Sequence, residues 1–199
     1  MKKIPSLFKR DFTKPGNPLT SEYNDGVQWV LDGEGQATRK YDGTSCLIKD
    51  GILWKRYEVK QGKEAPYGFV LADKDEITGK TFGWVEVGNG SEDKWHREAW
   101  ENYHNKDNPV PGTYELVGPK IQGNPERYGT HTLIWHNDAQ ILFPPVGFNE
   151  LQEWLKDKDI EGIVWHHPDG RMVKIKKSDF RIKRITPNQP TKANKENDK

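Results

Sequence analysis

Along the chain, short runs of alternating apolar and polar residues are separated by Gly, Pro, Asp and Asn. Two such runs, Cys46-Leu47-Ile48 and Ile52-Leu53-Trp54, flank Asp50-Gly51. An Asp-Gly pair between apolar stretches is a strong two-residue hairpin signal, so residues 37–59 read as a hairpin with Lys40 at or just before its first strand. Residues 81–87 alternate like a strand, and further short strands are expected at 113–117, 132–135 and 141–143. A second hairpin is expected from 162–165 and 172–175, turning at Pro168-Asp169-Gly170. Helical spacing appears twice. In residues 91–103, Trp95, Ala99, Trp100 and Tyr103 fall on one face, with Ser91 positioned to cap. In residues 149–156 the face is Leu151, Trp154 and Leu155. Residues 1–35 are rich in Pro, Gly and Asp, with one apolar stretch at 27–31. Beyond Arg184 the apolar content collapses. The pattern predicts an α+β domain dominated by antiparallel strands over residues 1–185, and a disordered polar tail over 186–199.

Composition narrows this picture. The 199 residues suit one domain, and the hydrophobic share, 33%, is low for a core. Eight Trp, seven Tyr and seven Phe offset it, because each aromatic buries a large area. Lys plus Arg total 31 and Asp plus Glu 30, so a surface for nucleic acid has to be a local patch. A single cysteine, Cys46, excludes an internal disulfide and suits a reducing compartment. No apolar run is long enough to span a bilayer, and the basic start, Met1 to Arg10, lacks a signal peptide's apolar core. The expectation is a soluble, cytoplasmic protein without a membrane partner. The six His lack metal-site spacing, so no zinc site is expected.

Four motifs follow one another in order: Lys40-Tyr41-Asp42-Gly43, Tyr114-Glu115-Leu116-Val117-Gly118, Glu161-Gly162-Ile163-Val164 and Val173-Lys174-Ile175-Lys176. Lys-x-Asp-Gly alone is weak, since an exposed lysine beside an Asp-Gly turn is commonplace; the ordered set is specific. An amine attacks phosphorus only when unprotonated, and cations with partial burial favour that form. Arg39, Arg56, Lys174 and Lys176 are the available cations. Counting back from Asp50-Gly51 sets Ser45 opposite Arg56, whose planar fork suits phosphate; the bland alternative is a solvated face charge. Glu115, among apolar neighbours, needs a polar partner, a ligand or solvent. With Pro168-Asp169 centring its turn, the second hairpin brings Glu161 near Lys176 and Ile163 near Lys174. Glu161, Lys174 and Lys176 then share one face as a phosphate and metal site, although a cross-strand salt bridge has the same spacing. The Gly/Pro-rich stretch 118–128, with Lys120, Asn124 and Arg127, reads equally as a substrate loop or a surface connection.

These residues resemble the covalent nucleotidyltransferases of the ligase and capping-enzyme superfamily. Within it, the chain is similar to small ATP-dependent RNA ligases, including the type related to the vertebrate 5′-3′ RNA ligase. The resemblance covers about residues 37–177 and implies two antiparallel sheets with flanking helices, the nucleotide lying between them. It implies that Lys40 attacks the α-phosphate of ATP, that AMP passes to a 5′-phosphate of RNA, and that a 3′-hydroxyl displaces it. Catalytic residues would be Lys40, Lys174 and Lys176. The nucleotide would also meet Arg39, Asp42, Gly43, Arg56, Glu115 and Glu161. Glu161 and Glu115 would serve Mg2+ or Mn2+, and Glu115 alternatively the ribose. One of residues 133–135, with Trp135 the candidate, would stack on adenine. DNA-joining relatives usually carry a basic residue where Ser45 stands; Arg56 is the expected substitute. The short stretch after Lys176 leads to the expectation of no added barrel domain, which favours RNA ligase over DNA ligase or capping enzyme. An enzyme that adenylates ends without sealing, or a passive nucleic-acid binding module, are the competing classes.

Overall fold

A computed structural model describes residues 3–76 and 78–184; the expected tail, 186–199, lies outside the described residues. The first hairpin forms as its turn dictates. Strands β4 (Thr44–Lys49) and β5 (Ile52–Val59) pair with Lys49 opposite Ile52 and Cys46 opposite Lys55. Asp50 and Gly51 adopt φ of 53° and 76°, the two left-handed positions that a tight hairpin turn requires. Strands β6 (Val70–Lys74), β7 (Thr81–Glu86), β8 (Gly112–Val117) and β9 (Thr132–Trp135) complete a six-stranded antiparallel sheet, ordered β6-β7-β5-β4-β8-β9. Alternation buries Cys46, Ile48, Leu53, Tyr114, Leu116 and Leu133 on one face. Against them packs helix α2 (Lys94–Glu101), with Ala99, Trp95 and Trp100, followed by Tyr103. Each fully buried large apolar side chain contributes about 1.5–3 kcal/mol. Ser91 does not cap this helix. It opens a 3-10 turn, Ser91–Asp93, and Asp93 is the anchor, accepting from Gly88 N at 2.8 Å and pairing with Lys55.

The second sheet is four-stranded, ordered β10-β3-β11-β12: β10 is Ile141–Leu142, β3 Gln36–Lys40, β11 Gly162–His166 and β12 Met172–Lys176. Residues 37–59 are therefore not one hairpin. Gln36–Lys40 belongs to this sheet, and the chain crosses to the other through Tyr41–Gly43. The crossing is tight at Gly43, where a Cβ would stand 2.2 Å from the Leu116 carbonyl oxygen. Ala37, Ile163, Trp165, Val173 and Ile175 form the buried face, packed on Leu151 and Leu155 of α3 (Phe148–Lys156), on Trp29 and Val30 of α1 (Gln28–Leu31), and on Leu7 and Phe8. Buried Lys177 donates from Nζ to the carbonyls of Lys156 and Lys158, filling acceptors at the end of α3.

The second hairpin departs from expectation by one residue. Gly162 pairs with Lys176 and Val164 with Lys174. The loop holds three residues, Pro168-Asp169-Gly170, closed by His167 N to Arg171 O at 2.9 Å, with Gly170 at φ 90°. A loop one residue longer moves every partner by one. Residues 1–35 also hold more order than their composition suggests. Strands β1 (Phe8–Arg10) and β2 (Leu19–Tyr23) form a ribbon. Just before it, Lys174 N donates to Pro5 O and Leu7 N to Lys174 O, both at 2.9 Å, so this segment covers the β12 edge. Lys3 then reaches the other sheet, its amide bonded to Asp73 and its ammonium to Asp75, both at 2.8 Å. Among the described residues, no helix is long and apolar enough to cross a membrane.

Candidate active site

A cavity of about 790 Å3 lies between the two sheets. Its four-stranded wall is set by alternation: Gly162 pairs with Lys40 on one side and Lys176 on the other, and the three share a face with Thr38, Val164 and Lys174. Lys40 is the last residue of β3. Its Nζ lies 2.5 Å from Glu161 Oε2, while Lys176 pairs with Glu161 Oε1. Glu161 stands one residue before β11, and its backbone carbonyl, not its side chain, meets Lys177 across the ladder. The expected meeting of Glu161 with Lys176 thus occurs diagonally, past Gly162, where a Cβ would lie 2.1 Å from the Ile175 carbonyl.

The charges on this wall act on one another. Burial pushes the Glu161 carboxyl up, but Lys40 and Lys176 more than offset this and hold it below its ordinary range. Burial and the neighbouring cations Lys176 and Lys40 pull the Lys174 ammonium down. Lys174 forms no ion pair among the described residues, which leaves its charge available to a ligand. For Lys176, burial is outweighed by Glu161 and the net shift is upward. Asp42 is raised by burial and by Glu161.

The six-stranded wall contributes Ser45, Arg56, Phe82, Thr113 and Glu115. Ser45 pairs with Glu115 across β4 and β8, and the β4–β5 ladder closes one pair short of Ser45 and Arg56. Arg56 lies over the rings of Phe82 and Trp84, 5.4 and 5.3 Å from their centroids. Glu115 does not present a free carboxylate. Its Oε1 accepts from Gly43 N at 3.1 Å, and its Oε2 lies 3.3 Å from His136 Nε2, whose Nδ1 meets Thr113 Oγ1 at 2.9 Å.

Two expected ligand contacts have their side chains engaged by the fold, although Arg39 also borders the cavity. Arg39 falls on the core face of β3, paired with Ile163, and its guanidinium bonds Glu126 at 2.5 Å. Trp135 pairs with Tyr114 and packs with the α2 cluster, on the sheet face opposite Glu115. Strand parity accounts for both placements: a residue adjacent to a cavity-facing one points away. Sequence reasoning missed His136 and His166, which line the cavity, although His136 follows Trp135 directly and parity from β9 marks that neighbourhood. His166 Nε2 lies 3.0 Å from Thr38 Oγ1, and burial and His136 lower its pKa. It also missed Glu126, Asp159 and Arg184, which no periodicity marks. Within 118–128, Asn124 fastens the backbone of Tyr128 and Arg127 pairs with Asp159, so these two residues hold local structure.

A family model described as RNA ligase 1 matches residues 105–195, a stretch that includes Glu115, Glu161, Lys174 and Lys176 and begins after Lys40. RNA ligase 1 of Mus musculus is 33% identical over 61% of this chain and 44% of its own length. RNA ligase 1 of Rattus norvegicus is 32% identical with the same coverage. That of Pongo abelii is 43% identical over 32% of this chain and 22% of its own. The chain spans less than half the length of these relatives. Each of these matches is a likeness to RNA ligase 1 over part of the chain.

Proposed function

We propose that the chain is the nucleotidyl-transfer core of an ATP-dependent RNA ligase, with Lys40 as the group that carries AMP. The observation that carries this reading is the Lys40 ammonium, 2.5 Å from Glu161, on a sheet face shared with Lys174 and Lys176. In the proposed first step the unprotonated Lys40 nitrogen forms a bond to the α-phosphorus of ATP. The bond from that phosphorus to the pyrophosphate oxygen breaks, and the amine proton passes to solvent. Lys174 and Lys176 supply positive charge where negative charge builds, and Glu161 fixes the position of the nitrogen. AMP then moves to a 5′-phosphate of RNA, and a 3′-hydroxyl attacks that phosphate and releases AMP.

Among the described residues, no group of three or more His, Cys, Asp and Glu gathers as a metal cage. Magnesium bound to phosphates needs only one or two carboxylates and otherwise keeps its waters, so Glu161 fits it. Glu115 is tied to the Gly43 backbone amide and to His136, so we assign it to holding the loop after Lys40, whereas the partners of Glu161 are the flexible Lys40 and Lys176 side chains, which can turn to phosphate and free it for a metal's waters. Bound magnesium would supply charge neutralisation on the phosphates. Intact mass spectrometry after incubation with ATP and magnesium is expected to show one added AMP. Nicked or single-stranded RNA with 5′-phosphate and 3′-hydroxyl ends should be sealed. Added AMP with sealing of DNA alone, or with AMP-capped ends and no sealing, would replace the RNA ligase reading. No added AMP would remove it.

A further inference from the structure

Glu126 comes from a loop with no regular structure, yet its side chain is almost fully buried. Oε2 takes a hydrogen bond from Arg39 at 2.5 Å, and Oε1 takes one from the Asp42 backbone amide at 2.9 Å and another from Arg184 at 2.8 Å. Arg39 and Asp42 lie on either side of Lys40-Tyr41. One carboxylate therefore grips the chain just before and just after the lysine. The next amide, Gly43, is held by Glu115 from the other sheet. Arg184 goes on to Asp159, its Nε 2.9 Å from Oδ1, and its nearest guanidinium nitrogen is 3.9 Å from the Asp42 carboxylate.

The loop bends unusually to deliver this group. Gln122, Asn124 and Arg127 have φ of 49°, 58° and 58° without being glycine. For Gln122 and Arg127 the left-handed region costs about 1–2 kcal/mol each, while asparagine enters it readily. Such strain persists where surrounding contacts over-determine it. Here those contacts are Asn124 on the Tyr128 backbone and Arg127 on Asp159, either side of Glu126.

We propose that Glu126 is a positioning residue for Lys40: it holds the Arg39 side chain before the nucleophile and the Asp42 backbone amide after it, so that the amine meets the α-phosphate in line. This rests on the proposed lysyl-AMP chemistry. Misplacing a reacting atom by about 1 Å can cost a hundredfold in rate, without a matching loss of ligand affinity. The test measures the single-turnover rate of AMP attachment at saturating ATP, the Kd for ATP and the melting temperature. Glu126→Gln keeps an acceptor for the Asp42 amide but removes the charge between two arginines. Glu126→Asp keeps the charge and shortens the reach, and it serves if the Gln variant does not fold. Asp159→Asn weakens the outer part of the same network without touching residues 40–43 by its side chain. The expected result is a rate lowered about tenfold to a hundredfold in a folded Glu126 variant, with ATP Kd within about threefold of wild type. Asp159→Asn should keep a near-normal rate even at a comparable loss of melting temperature. A wild-type rate in a folded Glu126 variant, or an equal rate loss in Asp159→Asn, would overturn the proposal. Wild-type protein that takes up no AMP would instead defeat the underlying lysyl-AMP reading.

Discussion

The two walls of the cavity differ in how they hold charge. On the four-stranded wall, Lys40 and Lys176 pair with Glu161 and Lys174 stands beside them, so opposite charges meet side chain to side chain. On the six-stranded wall, Glu115 is tied to a backbone amide and to His136, and Arg56 rests over two aromatic rings. The first arrangement has excess positive charge that a polyphosphate can take up. The second is locked to the fold and leaves less to rearrange. Under the proposed function, chemistry falls to the first wall and positioning to the second.

The largest expected effect is on the first wall. Lys40→Ala should gain no AMP by intact mass while its circular dichroism stays that of wild type; added AMP on that variant would remove Lys40 from its role. Next, Lys174→Ala and Glu161→Ala should each slow AMP attachment by about a hundredfold, the scale of one lost electrostatic contact in a transition state. Near-normal rates in both would make the β11–β12 hairpin purely structural. On the other wall, Arg56→Ala should lower RNA sealing by about tenfold, the scale of one charged hydrogen bond, and change ATP Kd less. Ser45→Arg with Arg56→Ala should recover part of that loss, and sealing by Arg56→Ala at the wild-type rate would reduce Arg56 to packing. The smallest effect concerns pH. The folded-state pKa of Glu161 is depressed below its ordinary 4.5, so its stabilisation is present above about that pH and is lost as pH falls through the lower folded value. Melting temperatures of Glu161→Gln should therefore fall less steeply than those of wild type in that acid range. Parallel curves would show that its ion pairs add nothing to stability.

What was legible in the sequence depended on range. Asp50-Gly51 specified both its turn and its register, because both are decided within four residues. Pro168-Asp169-Gly170 marked a turn but not its length, and the register moved by one. Lys40, Glu161, Lys174 and Lys176 were found by motif order and do converge. Trp135 was misplaced for lack of a strand parity at that position. Glu126 acts across 84 residues on the Asp42 amide, from a loop without alternation or helical spacing, so no local pattern exposes it. Strands β1, β2 and β6 escaped for a related reason: β1 and β6 are short or bulged, and β2 is largely polar.

The segment from Lys3 to Leu7 has a mechanical consequence. It is a tie whose two ends differ in strength. Its bonds to β12 through Pro5 and Leu7 lie within a sheet, whereas Lys3 is largely exposed where it meets Asp75. A widening of the cavity would load both ends, and the exposed, salt-screened end yields first. The tie would then let go of the six-stranded sheet and ride with β12. The walls would part like a jaw at that side, still joined at the Tyr41–Gly43 crossing beside Lys40.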